Sequence, residues 1–487
     1  MCHCFLSSSP TFPATHPHQG ARHLRIAMIC AHSNPLGPLG RRDTGGMSVY
    51  IREMSRALAS QGHHVHLFVG EPSSGSESQG LNDTRQTQRQ YFGPNVHWVS
   101  VPCSTTVSQE PVEQLETAHT FCRAIVKASR NGSVAATGSA FRNEADSEDF
   151  RAVTWKSGRP FDVIFSHYWL SGLAGIQTAH VLQVPHVTMF HTLARSKAAA
   201  LGQPVDASCR LCAEQLVAYQ SHAVVAPTQA EKETLLNHYG VPLHRIIVVP
   251  CGVNGHLFRP SDRFSARRQL QLPVDAIIYL FVGRLDPIKG LDRLLAAFAR
   301  LPRSMPARLV IVGGDPSEGE PLKAFHDMVQ AQGLGNRVVF AGRVDQGRLP
   351  KFYAAADALV MASHYESFGL VALEALASGR PVIGPPVGVL PEVLRRAHAG
   401  VLLKDNSPDE LLRGMTLIAE ERHRQGAFQE AVRRSLSKRY AWHRVAQDLA
   451  QALMHISNPN GLSNVAKETI IHGLDRCSDH CGTSGRP

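Results

Sequence analysis

The feature that most constrains this chain is an alternation of short apolar runs with longer helical patterns, which goes through one full cycle, stops and starts again. The first run is LRIAMI at 24–29; apolar residues at helical spacing follow over 49–60, then a second run over 64–69. Further runs at 96–101, 163–165, 186–190, 223–225 and 246–249 read as buried strands, mostly separated by helical stretches. Strands joined through helices lie parallel with right-handed crossovers, because the helix carries the chain back to the starting edge of the sheet. Turn residues over 250–260 (PCGVNGHLFRP) interrupt the pattern. It resumes with strands at 276–282, 308–312, 338–340, 358–361, 381–383 and 401–403, and with helices at 291–301, 321–332, 349–355 and 370–378. The expected fold class is α/β, with two doubly wound domains over 24–254 and 255–439.

The remaining segments are read as additions to that frame. Residues 1–23 form a disordered extension, 72–90 and 129–160 are polar excursions, and 457–487 form a disordered tail. A chain of 487 residues, 43% of them hydrophobic, is long enough for each half to bury its own core. No apolar run approaches the roughly 20 residues of a spanning helix, and the N-terminus lacks the basic start of a signal peptide. A cytoplasmic location is therefore expected. The net charge of +10 is spread along amphipathic helices without a Lys/Arg run interleaved with aromatics, which argues against nucleic acid as a partner. Peripheral contact with a membrane stays open, as does the oligomeric state. Cys30, Cys103, Cys122 and Cys251 lie in or beside apolar segments and read as buried thiols. Cys2, Cys4, Cys477 and Cys481 sit in the tails at spacings that match no common zinc pattern.

Ligands of open α/β sheets bind outside the carboxyl ends of the strands, so the residues that follow predicted strands carry the functional expectations. After the strand ending at Val282 comes GRLDPIKG, in which Arg284 and Lys289 flank a turn opening a helix at Leu291. Two cations at a helix N-terminus suit a diphosphate, because free N–H groups and the helix dipole add to their charge. A pair of surface ion-pairing residues is the plainer alternative. After the strand ending at Met361 comes HYESFGL, with Glu366 before the helix and Glu374 inside an otherwise apolar stretch of it. A carboxylate there needs a partner, and paired sugar hydroxyls are good donors, although a partly exposed helix face would also account for Glu374. Gly45-Gly46, before the helix expected at Val49, would let backbone approach a ligand closely; a simple turn is the alternative.

Taken in order, DTGGMSVYI, SHYWLSG, FHTLARSK, FVGRLDPIKG and ESFGLVALEALASGRPVIG resemble the retaining family-4 glycosyltransferases of GT-B fold. The likeness covers about residues 24–456 and is greatest to the branch of the D-inositol 3-phosphate glycosyltransferases and sucrose-phosphate synthases. It implies two Rossmann-like domains facing across a cleft, with the helix over 440–456 crossing back to the first. It also implies that Arg284 and Lys289 hold a donor diphosphate, that Glu374 holds the nucleotide ribose, and that Glu366 and His191 face the transferred sugar. Ser367, Phe368, Gly369 and Leu370 would line the sugar and phosphates, Gly46 would close over the diphosphate, and Arg343 falls where the base is read. A core histidine is the alternative for His191.

For the acceptor, the resemblance points to Tyr168, Thr192 and Arg210. The lysine expected with them is replaced near 111–113, where Lys197 could compensate, and the turn before LPE is altered to Gly388-Val389. No Asp-x-Asp follows a strand to hold a divalent metal, so cations are expected to serve the leaving group and no cofactor is required. The expected partners are a nucleotide-sugar donor and a small-molecule or glycan acceptor. A sugar-nucleotide epimerase or hydrolase on the same fold is the rival enzyme class; a basic nucleotide-binding or membrane-surface protein is the non-catalytic one.

Overall fold

A computed structural model describes residues 22–37, 39–40, 44–71, 92–103, 111–130, 159–202, 208–314, 320–397, 399–421 and 428–458. Two parallel sheets organise them. The first is built from β1 (Arg25–Cys30), β2 (His64–Glu71), β3 (Val96–Pro102), β4 (Val163–His167), β5 (His186–Met189), β6 (Ala223–Ala226) and β7 (Ile246–Val248), in the order β3-β2-β1-β4-β5-β6-β7. The second is built from β8 (Ile277–Val282), β9 (Ala307–Val312), β10 (Val338–Gly342), β11 (Ala358–Val360), β12 (Val382–Gly384) and β13 (Gly400–Leu402), in the order β10-β9-β8-β11-β12-β13. The central strands read as unbroken apolar runs because helices cover both faces; Ile26 to Cys30 and Ile277 to Phe281 are all buried.

In each sheet the strand order reverses at one place, between β1 and β4 and between β8 and β11. Loops leaving two neighbouring strands in opposite directions open a crevice there, which is where such sheets bind ligands. The sequence elements singled out above leave these four strands and β5.

The two halves share one apolar cluster. The helix Trp442–Ile456 buries Trp442, Val445, Ala446, Leu449, Ala450 and Leu453, the 3–4 spacing of a single face. That face packs on the helix Gly46–Ser60 of the first half, with the Trp442 and Tyr50 rings 5.8 Å apart. Val253 donates to the Tyr440 carbonyl (2.7 Å) and pairs with Ala441, so the outgoing and returning chains run side by side. A Cβ at Gly252 would lie 2.4 Å from the Trp442 ring, and the crossing therefore needs that backbone bare. The C-terminal helix thus crosses back to the first half.

Several expectations shift by a few residues. The helix read from Val49 begins at Gly46, because a Gly-Gly pair has poor helix propensity and hides the start. The helix Pro111–Arg130 runs into the stretch read as an excursion from Ser129. The helix Arg263–Gln269 also went unread; its Arg267 is fully buried against Asp357 (2.7 Å), which Arg263 contacts as well (2.9 Å). Cys30, Cys103, Cys122 and Cys251 are buried, and burial pushes the thiols up, Cys30 to about 12 and Cys103 and Cys122 to about 11. The expectations for 1–21, 72–91, 131–158 and 459–487, including the four tail cysteines, lie outside the described residues.

Candidate active site

A cavity of about 720 Å³ occupies the cleft between the two switch points. From the first half, Gly46, Tyr168, His191, Thr192, Lys197 and Arg210 line it. Arg284, Lys289, Arg343, Glu366, Ser367, Phe368, Gly369, Leu370 and Glu374 line it from the second. Every site residue expected from the sequence therefore reaches one space.

The second-half wall is built by the loops after β8 and β11. After β8, Pro287–Lys289 make one tight turn, with the Asp286 carboxylate accepting from the Ile288 N–H (3.1 Å). The turn ends at Gly290, where φ is +63° and a Cβ would lie 2.2 Å from the Ala362 carbonyl oxygen, so only glycine fits. The helix Leu291–Ala299 starts there. Lys289 Nζ donates to Glu366 Oε1 at 2.7 Å, and Ser363 Oγ donates to the same oxygen at 2.8 Å. Two residues selected independently from the sequence are thus each other's partners, each largely but not fully buried. Arg284 is more exposed and lies 3.5 Å from the Asp286 carboxylate.

Glu374, on the helix Leu370–Ala377, is 6% exposed, so a partly exposed helix face does not account for it. Its Oε2 accepts from Tyr353 Oη (2.8 Å) and its Oε1 from Gln346 Nε2 (3.4 Å). Burial raises its pKa against the pull of these bonds and of Arg52. The altered turn at Gly388 packs closely on the loop after β11. A Cβ there would lie 2.3 Å from the Phe368 carbonyl oxygen, and Val389 N–H donates to that same oxygen at 2.8 Å. Arg343 directly follows β10, where a Cβ on Gly40 of the first half would touch its side chain at 3.1 Å.

The first-half wall sets uncharged rings beside Lys197 and Arg210. The helix Gly46–Ser60 points its N-terminus into the cleft, with the Cβ position of Gly46 3.6 Å from Leu370 across it. Tyr168 (φ +76°) directly follows β4 and His191 (φ +61°) lies two residues past the end of β5, both in a left-handed conformation that non-glycine residues rarely adopt and that clusters at functional sites. His167 Nδ1 and His191 Nε2 are 3.0 Å apart. Burial pushes His32 and His191 down to about 3 and His167 well below the usual histidine range, so all three rings are uncharged at neutral pH.

Tyr168, Thr192 and Arg210 form one cluster. The Arg210 guanidinium lies over the Tyr168 ring at 5.0 Å and donates to the Thr192 carbonyl (3.2 Å) and Oγ1 (3.1 Å). It also donates to the fully buried Glu214 at 2.8 Å, a counter-charge the sequence did not announce. Glu113 is exposed, while the next residue, Gln114, lines the cavity beside Cys209. Sequence reasoning missed His32, His167, Gln114, Gln346 and Tyr353. Only His167, one place before Tyr168 at a strand end, sat within a motif already quoted.

Both halves resemble known glycosyltransferases. The model described as "Glycosyl transferase 4-like domain" matches residues 45–252, and "Glycosyl transferases group 1" matches 262–435. The D-inositol 3-phosphate glycosyltransferase of Xylanimonas cellulosilytica is 36% identical over 437 residues, covering 88% of this chain and 95% of the relative. That of Acidothermus cellulolyticus is 36% identical over 400 residues, covering 79% and 80%. Among solved structures, sucrose-phosphate synthase from Thermosynechococcus elongatus superposes with a TM-score of 0.72 at 27% identity, covering 89% of this chain and 99% of that one. None of these relatives supports an epimerase or hydrolase. No helix among the described residues is long and apolar enough to cross a membrane. With two parallel sheets facing across a lined cleft and relatives spanning most of its length, the chain belongs to the family-4 glycosyltransferases of GT-B fold.

Proposed function

We propose that this glycosyltransferase moves a sugar, with retention of anomeric configuration, from a nucleoside-diphosphate sugar to a hydroxyl of a polyol or its phosphate. The observation that carries the reading is the convergence of Arg284, the Lys289–Glu366 pair and Glu374 on one cavity, closed from the opposite side by the N-terminus of the helix Gly46–Ser60. Departure of a nucleoside diphosphate builds negative charge on a phosphate oxygen and positive charge on the sugar. Arg284, Lys289 and the Gly46 helix terminus are placed to take up the first charge without rearranging, which is the main way such sites lower a barrier. Glu366 orients Lys289 and offers its second oxygen to sugar hydroxyls, while Glu374, fixed by Tyr353, faces the ribose. His191 is held neutral and takes the sugar from the other side; Arg343 stands near the base.

These cations make a divalent metal unnecessary in this reading, and turnover should survive chelation by EDTA. On the acceptor side, Tyr168, Thr192 and Arg210 bind the incoming molecule, and Lys197 supplies charge that Glu214 withdraws from Arg210. The named activity of the relatives makes inositol 3-phosphate the first acceptor to try. The deciding measurement is the melting temperature against uridine, guanosine and adenosine diphosphates, because a ligand that prefers the native state raises it. A matching sugar nucleotide should then yield an α-linked product from an α-donor by NMR. An inverted product, or a flat melting profile with all three, would sink the proposal.

A further inference from the structure

One buried carboxylate next to the cleft has no part in the chemistry above. Glu231 stands in the first turn of the helix Gln229–Tyr239, where Thr228 Oγ1 caps its N–H at 3.2 Å. In a Thr-x-x-Glu capping box the glutamate turns back onto the N–H of the cap residue. Here it reaches across the cleft instead, and its Oε2 accepts from Ser367 Oγ of the second half at 2.5 Å. Its Oε1 is buried without a partner, and the residue is 5% exposed. A carboxyl turned away from its own helix and left one bond short destabilises the fold locally, so the contact it makes instead is the informative one.

Ser367 adjoins Glu366, the partner of Lys289. A second tie reaches the same element further along. Arg52, on the helix Gly46–Ser60, donates to Gln346 Oε1, and Gln346 Nε2 reaches Glu374 Oε1. The segment 366–374, which carries both carboxylates of the donor wall, is therefore held from the opposite half near each end. We propose that Glu231, through Ser367, and Arg52, through Gln346, are positioning residues that hold segment 366–374 in its donor-binding geometry when the two halves close. The assignment of that segment to the donor rests on the function proposed above; the brace itself does not.

The surroundings of Glu231 make the tie a neutral one. Burial raises its carboxyl to about 8, Ser367 opposes that shift and Glu214 adds to it; Cys251 and Tyr365 are the other titratable groups that feel its charge. Glutamine can imitate a protonated carboxyl here, whereas alanine cannot.

Two readouts test the brace. In the protein without ligand, hydrogen–deuterium exchange over 364–377 should rise in Glu231→Ala and stay at the wild-type level in Glu231→Gln. In turnover, Glu231→Ala should raise the donor KM about 5- to 10-fold, the size of one buried hydrogen bond, with kcat little changed, and Glu231→Gln should restore it. Ser367→Ala, which leaves the Gln229–Tyr239 helix intact should the first variant fold poorly, should raise KM comparably. Combining it with Glu231→Ala should then add nothing further. Additive effects in the double variant, or unchanged exchange with unchanged KM in Glu231→Ala, would overturn the brace. Exchange changes in Glu231→Ala together with a wild-type protein that binds no nucleoside diphosphate would overturn the donor reading and leave the brace standing.

Discussion

The first half meets the cleft with uncharged rings beside its two cations, Lys197 and Arg210, whereas the second meets it with cations and carboxylates set side by side, although both place their ligating loops around the same kind of switch point. His32, His167, His191 and Tyr168 follow or adjoin β1, β4 and β5, and burial keeps the three imidazoles uncharged. Arg284, Lys289, Glu366 and Glu374 follow β8 and β11, and the ions that are paired there stay in reach of the cavity. One topology can thus supply two different solvents to one ligand. On the proposed reading Arg284 and Lys289 take the diphosphate with the Gly46 helix terminus, and the sugar lies between Glu366 and His191. The contrast also shows that the fold decides where a site lies, while the residues just past the strand ends decide what it binds.

The comparison can be broken in several ways, and the largest effect concerns what joins the walls. Removing the chain from Trp442 onward strips seven buried helix residues, four of them the large side chains of Trp442, Val445, Leu449 and Leu453. At about 1.5–3 kcal/mol for each of the four large side chains, the loss is comparable to the whole stability of a typical protein, and soluble folded protein should not be recovered. An active truncated protein would show that each wall stands alone. Lys289→Ala should come next, lowering kcat/KM by about 100-fold or more while the melting temperature changes little, as for loss of a group that stabilises developing charge. An equal loss in a variant of the ring wall such as His191→Ala, with Lys289→Ala mild, would reverse the assignment of charge to the second half.

Acid should separate the halves more gently. His32, His66 and His186 are held neutral down to about pH 3, and His167 well below its usual range, all of them in the first half. The unfolded chain takes up protons below about pH 6.5 where the fold does not, so stability is full above that pH and falls as pH drops towards 3. Each such histidine contributes a slope of at most about 1.4 kcal/mol per pH unit. Hydrogen exchange between pH 7 and 5, corrected for the intrinsic rate, should therefore loosen β4 and β5 before β8 and β11; the opposite order would contradict the contrast. The smallest effect is expected for Glu374→Gln. It keeps an acceptor for Tyr353 but alters the group facing the donor, and it should raise the donor KM by about 5- to 10-fold, the size of one ordinary hydrogen bond. An unchanged KM would remove Glu374 from the donor wall.

The sequence announced the second half better than the first. The strand ends before GRLDPIKG and HYESFGL are marked by long apolar runs, and the charged residues after them stand out against an apolar background. The helix start at Gly46 was hidden because glycine is a poor helix former and carries no capping side chain. His32 and His167 were passed over because a histidine in an apolar run looks like any satisfied core residue until its neighbours are known.

Thus the alternation of strands and helices and the two sheets were legible in local pattern, while the crossing of the last helix and the residues singled out for the cleft came from the motifs and the resemblance they carry. Which groups pair was decided only by the tertiary structure. Lys289 with Glu366, Glu374 with Tyr353 and Glu231 with Ser367 unite residues from 21 to 136 positions apart. Hydrogen bonds and ion pairs depend on distances of a few ångströms, and along a chain that distance is fixed only when the sheets have packed and the halves have met.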